Sequence, residues 1–432
     1  MRRTYLRLLK YLAVKEPKTP IQLIHFVTSK CNAKCGHCFY WSKLNTKGEL
    51  SLEEIDKITR TLPDLVILNI SGGEPFIRPD FAEVIKTYYR NTPVKEVTVP
   101  TNGTFTEKMV KDCTEILKHC PDLDLNIVFS FDGIPAIHDE IRQIKDCFQT
   151  AVKSVRALKE VQQKYPSLQL SVVSTLTSLN QDTLEEFHAL IEKDVKPDVF
   201  GMNLIRGEAK KMELFGVNIN NYKKFFHLQS KSRRGGVKNR VRDYMNRLRT
   251  GSIVRTVENK EYILPCKAGT LMAVMYEKGE VYPCELLNNK PLGNVRDFDY
   301  NFEKAWTSVK AKEAAGFIKD TKCYCTHECF QRFNILYNPK FMAKHAIKGM
   351  FGKSEILNGL KMENIKGHHG DNMVKIGLMR GTRVQIDPLA KQRAQELKDE
   401  QAKKGPITSQ ARSKSKEMPV AKEDELIQVG TL

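Results

Sequence analysis

Between residues 20 and 207 the sequence alternates short, nearly continuous apolar runs with amphipathic stretches of helical period, and few architectures satisfy that pattern. The runs fall at 21–28, 65–70, 94–99, 123–131, 168–176 and 198–205. Between them lie SLEEIDKITRTL, PDFAEVIKTYYRN, TEKMVKDCTEILKHC, CFQTAVKSVRALKEV and TLEEFHALIEK. The first of these opens with Ser51 and has Glu54 three residues on, a capping box. Strands that are apolar throughout are buried on both faces, as in a parallel sheet covered by helices. Six β-α units fall short of the eight that close a barrel, so the expected fold is α/β, a partial (β/α)6 TIM-like barrel. Its function then belongs in the loops that follow the strands.

The chain of 432 residues is long enough to stay folded without covalent staples, yet it contains 11 cysteines. An odd count forbids complete disulfide pairing. The start MRRTYLRLLKYLAVKEPKTP lacks a continuous apolar core and a small-residue cleavage site. No run of about eighteen apolar residues occurs, which excludes an ordinary transmembrane helix. A reducing cytoplasm and thiols used for metal or redox chemistry are expected. Cys113, Cys120 and Cys147 lie in helix-like sequence and read as small buried hydrophobes. The other eight form two dense groups.

The first apolar run, IQLIHFVTSK, leads directly into CNAKCGHC, placing Cys31, Cys35 and Cys38 on one loop at a strand's carboxyl end. Three thiolates fill neither a tetrahedral zinc site nor all four irons of a cubane, so the triplet either borrows a distant ligand or leaves a metal position open. The second run ends in SGGEP, where Gly72 and Gly73 permit close backbone approach to a ligand, Glu74 can accept from an ammonium group and Pro75 follows. The fourth ends in SFDGIPAIHDEIR, with Ser130 and Asp132 at the strand tip and His138, Asp139 and Arg142 beyond.

CxxxCxxC after strand one, GGEP after strand two and SxDG with HDxxR after strand four make the sequence resemble the radical S-adenosylmethionine (SAM) superfamily over roughly residues 20–335. The resemblance implies a [4Fe-4S] cluster on Cys31, Cys35 and Cys38 whose fourth iron binds the amine and carboxylate of SAM. It implies reductive cleavage of SAM to a 5′-deoxyadenosyl radical that abstracts hydrogen from a substrate carbon. In that scheme Gly72, Gly73, Glu74 and Pro75 hold the methionyl amine, Ser130 is a candidate for the ribose hydroxyls, and Asp132 is a further cofactor-binding residue. His37 stands where the family usually has an aromatic residue packing near adenine. Arg206, at the tip of strand six, is a candidate for a carboxylate of SAM or substrate. An electron donor of flavodoxin or ferredoxin type is implied as a partner.

The second thiol group begins with Cys266, Gly279 and Cys284, spaced C-x12-G-x4-C. LMAVMY and VYPC flank a Glu-Lys-Gly turn, which predicts a hairpin with a thiol near each end. TKCYCTHEC adds Cys323, Cys325 and Cys329. This pattern resembles the SPASM or shorter twitch extensions of radical SAM enzymes. Five candidates suit one auxiliary [4Fe-4S] cluster, with Cys323 or Cys325 the ambiguous ligand because they are only two apart. A structural zinc site is the alternative for this group.

The expected organisation is a basic amphipathic segment at 1–19, the barrel core at 20–207, a basic helical linker at 208–260 and a small auxiliary cluster domain at 261–335. A basic segment at 336–384 and a disordered basic/polar tail at 385–432 complete it. The formal charge of +19 concentrates in three places: residues 1–20, 206–255 and 331–383. Basic, apolar-striped pieces such as FMAKHAIKGMFGK suit an anionic membrane surface at the inner face, or pack on the core with charge outward. No RNA-binding module is visible, so nucleic acid is not an expected partner. Peptides or small molecules are the substrate classes the resemblance implies, and the basic segments add a membrane lipid at an anionic bilayer as an alternative substrate. A non-enzymatic iron-sulfur protein is the competing class, but it has no need of GGEP or SFDG.

Overall fold

The computed structural model describes residues 17–232, 237–360 and 373–375. The amphipathic stripe at residues 1–16, His368, His369 and the tail lie outside the described residues.

All six expected strands form: β1 (Gln22–Phe26), β2 (Ile67–Ser71), β3 (Glu96–Thr101), β4 (Asp124–Ser130), β5 (Leu168–Leu176) and β6 (Val199–Leu204). They lie in chain order in one parallel sheet. The intervening helices are α1 (Leu52–Thr59), α2 (Phe81–Asn91), α3 (Thr106–His119), α4 (Pro135–Arg142), α5 (Cys147–Lys164) and α6 (Leu184–Leu190). α1 begins with the expected capping box, Ser51 accepting from the Glu54 amide while Glu54 accepts from the Ser51 amide.

The two faces of the sheet differ. Leu125, Ile127 and Phe129 of β4 are buried in the same apolar core as Val84, Ile85, Ile116 and Val155 of the helices. On the opposite face Asp124, Asn126, Val128 and Ser130 are only half-buried, and β3 and β6 alternate in the same way. Three of the six strands are therefore not apolar on both sides. Their second face lines the interior of an open barrel, and a one-residue slip would exchange it with the core face.

The auxiliary segment is joined to this sheet. Strand β7 (Met272–Met275) pairs in parallel with β1 on the edge away from β2, and β8 (Glu280–Tyr282) returns antiparallel to it. A short β9 (Gly293–Asn294) completes nine strands in the order β9-β8-β7-β1-β2-β3-β4-β5-β6. The expected Glu-Lys-Gly turn is present. Gly279 has φ +92°, and a Cβ there would meet Val295 at 2.8 Å, so glycine alone suits the turn.

Beyond β6 come the helices at Ile219–Ser232 and Val237–Asn259, then α7 (Val309–Asp320), α8 (Glu328–Leu336) and α9 (Pro339–Met350). Leu248 is fully buried, with Tyr244 and Met245 packed on its cluster, and the Tyr244 hydroxyl donates to the Met342 carbonyl at 2.7 Å. The described apolar face of that basic helix is thus spent on the core. Cys113, Cys120 and Cys147 are buried, as expected of core thiols.

Candidate active site

Three loops meet at the carboxyl end of the sheet. The cysteine loop leaves β1 and is fixed by Glu49, whose Oε1 accepts from the Thr28 hydroxyl and the Ser29 amide, both at 2.8 Å. The Cys31 amide donates to Asn45 Oδ1 at 3.0 Å. The loop also takes up the free carbonyls at the end of α4: the Lys34 amide donates to Arg142 O (3.3 Å) and the Gly36 amide to Ile141 O (3.1 Å). Gln143, at φ +54°, then turns the chain away.

The GGEP loop lies directly on this loop. The Gly73 amide donates to Thr28 O and the Glu74 amide to Lys30 O, both at 2.8 Å. A Cβ on Gly72 would sit 2.3 Å from Thr28 O. The paired glycines therefore serve close approach to the cysteine loop's backbone.

Glu74 is buried and accepts three hydrogen bonds, which leaves one acceptor site on Oε2. Its Oε1 accepts from the Thr101 hydroxyl (2.8 Å) and the Phe76 amide (3.3 Å), and its Oε2 from the Asn102 amide (2.8 Å). Burial nevertheless outweighs these bonds and raises its pKa to about 7. Thr101 and Asn102 escape the sequence reading. Their one signal is the Thr-Asn-Gly turn after the third strand, where Gly103 has φ +77°. Asn102 Nδ2 also donates to Asn32 Oδ1 at 2.8 Å, tying this third loop to the cysteines.

After β4, Ser130 stands half-buried at the strand tip while Asp132 is completely buried. Asp132 Oδ1 accepts from the Thr175 amide at 2.8 Å, and Oδ2 pairs with Arg142 Nη2 at 2.5 Å, with His37 Nε2 at 3.8 Å. Burial opposes its charge, but Arg142, His37 and His138 together hold it below the usual carboxylate range. His37 is itself kept neutral by burial, its pKa lowered to about 4. Both oxygens of Asp132 thus face protein partners, and any bearing on SAM is through Arg142 and His37.

The thiols fit an iron-sulfur cluster. None of the eleven is in a disulfide. Burial lifts Cys31 and Cys38 to about 12, so loading a metal must displace protons. The Ala33 amide already points at Cys31 Sγ (3.4 Å), the Leu286 amide at Cys284 Sγ (3.4 Å) and the His327 amide at Cys325 Sγ (3.5 Å). Such amides stabilise thiolate ligands. Among the described residues no three His, Cys, Asp or Glu side chains are gathered closely enough to hold a metal ion as they stand.

In the second group Cys266, Cys284, Cys323 and Cys325 influence one another electrostatically, each raised mainly by burial. Cys329 is the exposed member, beside Arg206 and His327. Exposure sets Cys329 apart from the other four, and Cys323 and Cys325 share one neighbourhood despite their spacing.

Arg206 is neither a free carboxylate receptor nor a solvated surface residue. Its Nη1 lies 3.2 Å from Glu328 Oε2 and its Nη2 3.6 Å from Glu285 Oε2. Glu285 also meets His327 Nε2 at 2.7 Å, and Glu328 accepts from the Leu204 amide at 3.0 Å. Burial pushes Glu285 up, but His327 and Arg206 hold it below its ordinary value. This group of charges joins the tip of β6 to the auxiliary cysteine loop. An aromatic contact joins them elsewhere: Phe26 of β1 packs on Tyr40 (4.8 Å) and on Tyr276 of the hairpin (4.6 Å).

Residues 26–193 match the profile of the Radical SAM superfamily. This stretch, which carries the cysteine triplet, the GGEP loop and the tip of β4, is a Radical SAM domain. Over 325 residues it is 26% identical to the antilisterial bacteriocin subtilosin biosynthesis protein AlbA of Bacillus subtilis, covering 72% of this chain and 66% of AlbA. It is 31% identical to the mycofactocin maturase MftC of Mycobacterium tuberculosis over 178 residues, 40% of this chain and 42% of MftC. The chain thus spans two thirds or less of these curated relatives. In fold it is similar to Streptococcus suis SuiB bound to S-adenosylmethionine, with TM-score 0.53, 14% identity and coverage of 74% and 72%. It is likewise similar to anSMEcpe with bound AdoMet, with TM-score 0.51, 18% identity and coverage of 77% and 99%.

Proposed function

We propose that the protein is a radical SAM enzyme that modifies a peptide, with one [4Fe-4S] cluster on Cys31, Cys35 and Cys38 and one auxiliary cluster on Cys266, Cys284, Cys323 and Cys325. The observation that carries this reading is the convergence of the cysteine triplet, the GGEP loop and the Thr101–Asn102 loop at one end of the barrel. Cluster and SAM together supply one-electron cleavage of SAM and hydrogen abstraction from an unactivated carbon.

The chain's own residues orient and exclude. Glu74, held by Thr101, Asn102 and Phe76, would present a carboxylate to the N–H groups of the SAM amine, and Ser130 would offer a hydroxyl to the ribose. His37, neutral and beside Asp132, supplies an uncharged ring near the third cysteine. Arg206, anchored by Glu285 and Glu328, fixes the auxiliary thiols against the barrel mouth.

The peptide substrate is supported by the names of the relatives, a bacteriocin biosynthesis protein and a mycofactocin maturase. SuiB, of similar fold, is known in complex with its precursor peptide SuiA. A small molecule remains the second substrate class. An external flavodoxin or ferredoxin would deliver the electron. The test is anaerobic incubation of the loaded protein with short peptides encoded beside its gene. A SAM-dependent mass change absent from C35A supports the reading, and no change in any peptide counts against it.

Among the described residues no helix is long and apolar enough to cross a membrane. We propose a cytoplasmic protein that touches the anionic inner face through α9. Ile347, Met350 and Phe351 there are 54%, 76% and 70% exposed, among Lys340, Lys344, Lys348 and Lys353 with no acid between 339 and 353. Apolar tips seated in an interface and lysines worth roughly 1 kcal/mol each at an anionic surface suit such a contact. Cosedimentation with phosphatidylglycerol but not phosphatidylcholine vesicles, lost in I347E/F351E, is expected.

A further inference from the structure

Arg142 touches the cysteine triplet in two ways. Its carbonyl and that of Ile141 accept the amides on either side of Cys35, so the end of α4 grips this cysteine by its backbone. Its guanidinium then reaches the thiol itself, Nη1 lying 3.7 Å from Cys35 Sγ, a distance suited to an N–H···S bond. The other arm of the fork pairs with Asp132 Oδ2. Arg142 is 9% exposed, Cys35 8% and Asp132 0%, so little solvent screens the three. Only a planar fork can serve a carboxylate on one side and a sulfur on the other, which a lysine cannot do.

Net charge and hydrogen bonds to the ligand sulfurs are what set an iron-sulfur potential. Reduction adds one electron, from an external donor, to a cluster already carrying three thiolates. A fixed cation on one sulfur stabilises the reduced form, and a carboxylate behind that cation offsets part of the effect. The pair is held rigidly, since the second oxygen of Asp132 accepts the Thr175 amide and its own amide donates to His138 Nδ1 at 3.0 Å.

We propose that Arg142 is a positioning and tuning residue: it raises the reduction potential of the cluster on Cys31, Cys35 and Cys38 through the Cys35 sulfur, with Asp132 as its counterweight. The inference rests on the reading of that triplet as the SAM-binding cluster.

The test is an anaerobic potentiometric titration of the full-length, iron-loaded protein, following the EPR signal that changes on adding SAM. R142Q should lower the reduced-to-oxidised ratio at the wild-type midpoint about tenfold, a shift of about 59 mV for one electron. D132N should shift the midpoint the opposite way, and R142K, which keeps charge but not the fork, should fall between R142Q and wild type. A residue that was merely structural would change iron content or thermal stability without shifts of opposite sign. R142Q with full iron and an unmoved midpoint overturns the proposal. If R142Q takes up no iron, D132N decides, an unmoved or lowered midpoint overturning it. A wild type with no SAM-responsive signal would overturn the cluster reading and the tuning together.

Discussion

A Cβ on Gly73 would lie 2.1 Å from the carbonyl oxygen of Lys30, closer than any packing rearrangement can relieve because both partners are backbone. The GGEP loop and the cysteine loop are held together by this approach, with the Gly73 and Glu74 amides completing it. G73A should force the loops apart and cost at least about 4 kcal/mol, the range in which single substitutions become exceptional. Chemical denaturation of the apoprotein measures the loss, and iron uptake should fall in parallel.

Glu74 supplies a pH dependence. Burial raises its carboxyl to about 7 in the free protein, so the folded state retains a proton there between about 4.5 and 7. The SAM amine donates an N–H to the ionised form. Affinity for SAM should therefore fall as pH drops through 7, by at most about tenfold per unit for one proton. Calorimetry between pH 6 and 8 reads this slope, and E74Q should bind weakly with no slope.

Arg206 and its two glutamates give a stability prediction. Removing one partner of a buried charge group strands the other, at about 3–5 kcal/mol. R206M should leave Glu285 and Glu328 facing each other and destabilise the fold by that order. R206M/E328Q should recover part of it, which a double-mutant cycle measures.

The auxiliary ligand set is testable by iron content. With two [4Fe-4S] clusters the loaded protein should hold about eight irons. C325S should fall toward about four, while C329S, altering the exposed thiol beside His327, should stay near eight.

Much of the site is legible in sequence because its chemistry is local. Cys31, Cys35 and Cys38 share one loop, and Gly72, Gly73 and Glu74 another, each directly after an apolar run. What cannot be read there is pairing across long separations. The role of the glycines depends on backbone atoms more than forty residues away, and the commitment of Arg206 depends on Glu328, over a hundred residues on. Asp132 looks like a ligand for SAM until Arg142 and the Thr175 amide take its oxygens. Strands β3, β4 and β6 read as apolar because of the residues on their core face, such as Val97, Val99, Ile127, Phe129 and Phe200. Their half-buried polar face appears only once the sheet curves around an open interior.

The most direct test is the formation of 5′-deoxyadenosine. The iron-loaded wild type, incubated anaerobically with SAM and dithionite, should produce it, and C35A should produce none. A wild type with its full iron complement that leaves SAM intact would contradict the assignment of Cys31, Cys35 and Cys38 to a SAM-cleaving cluster.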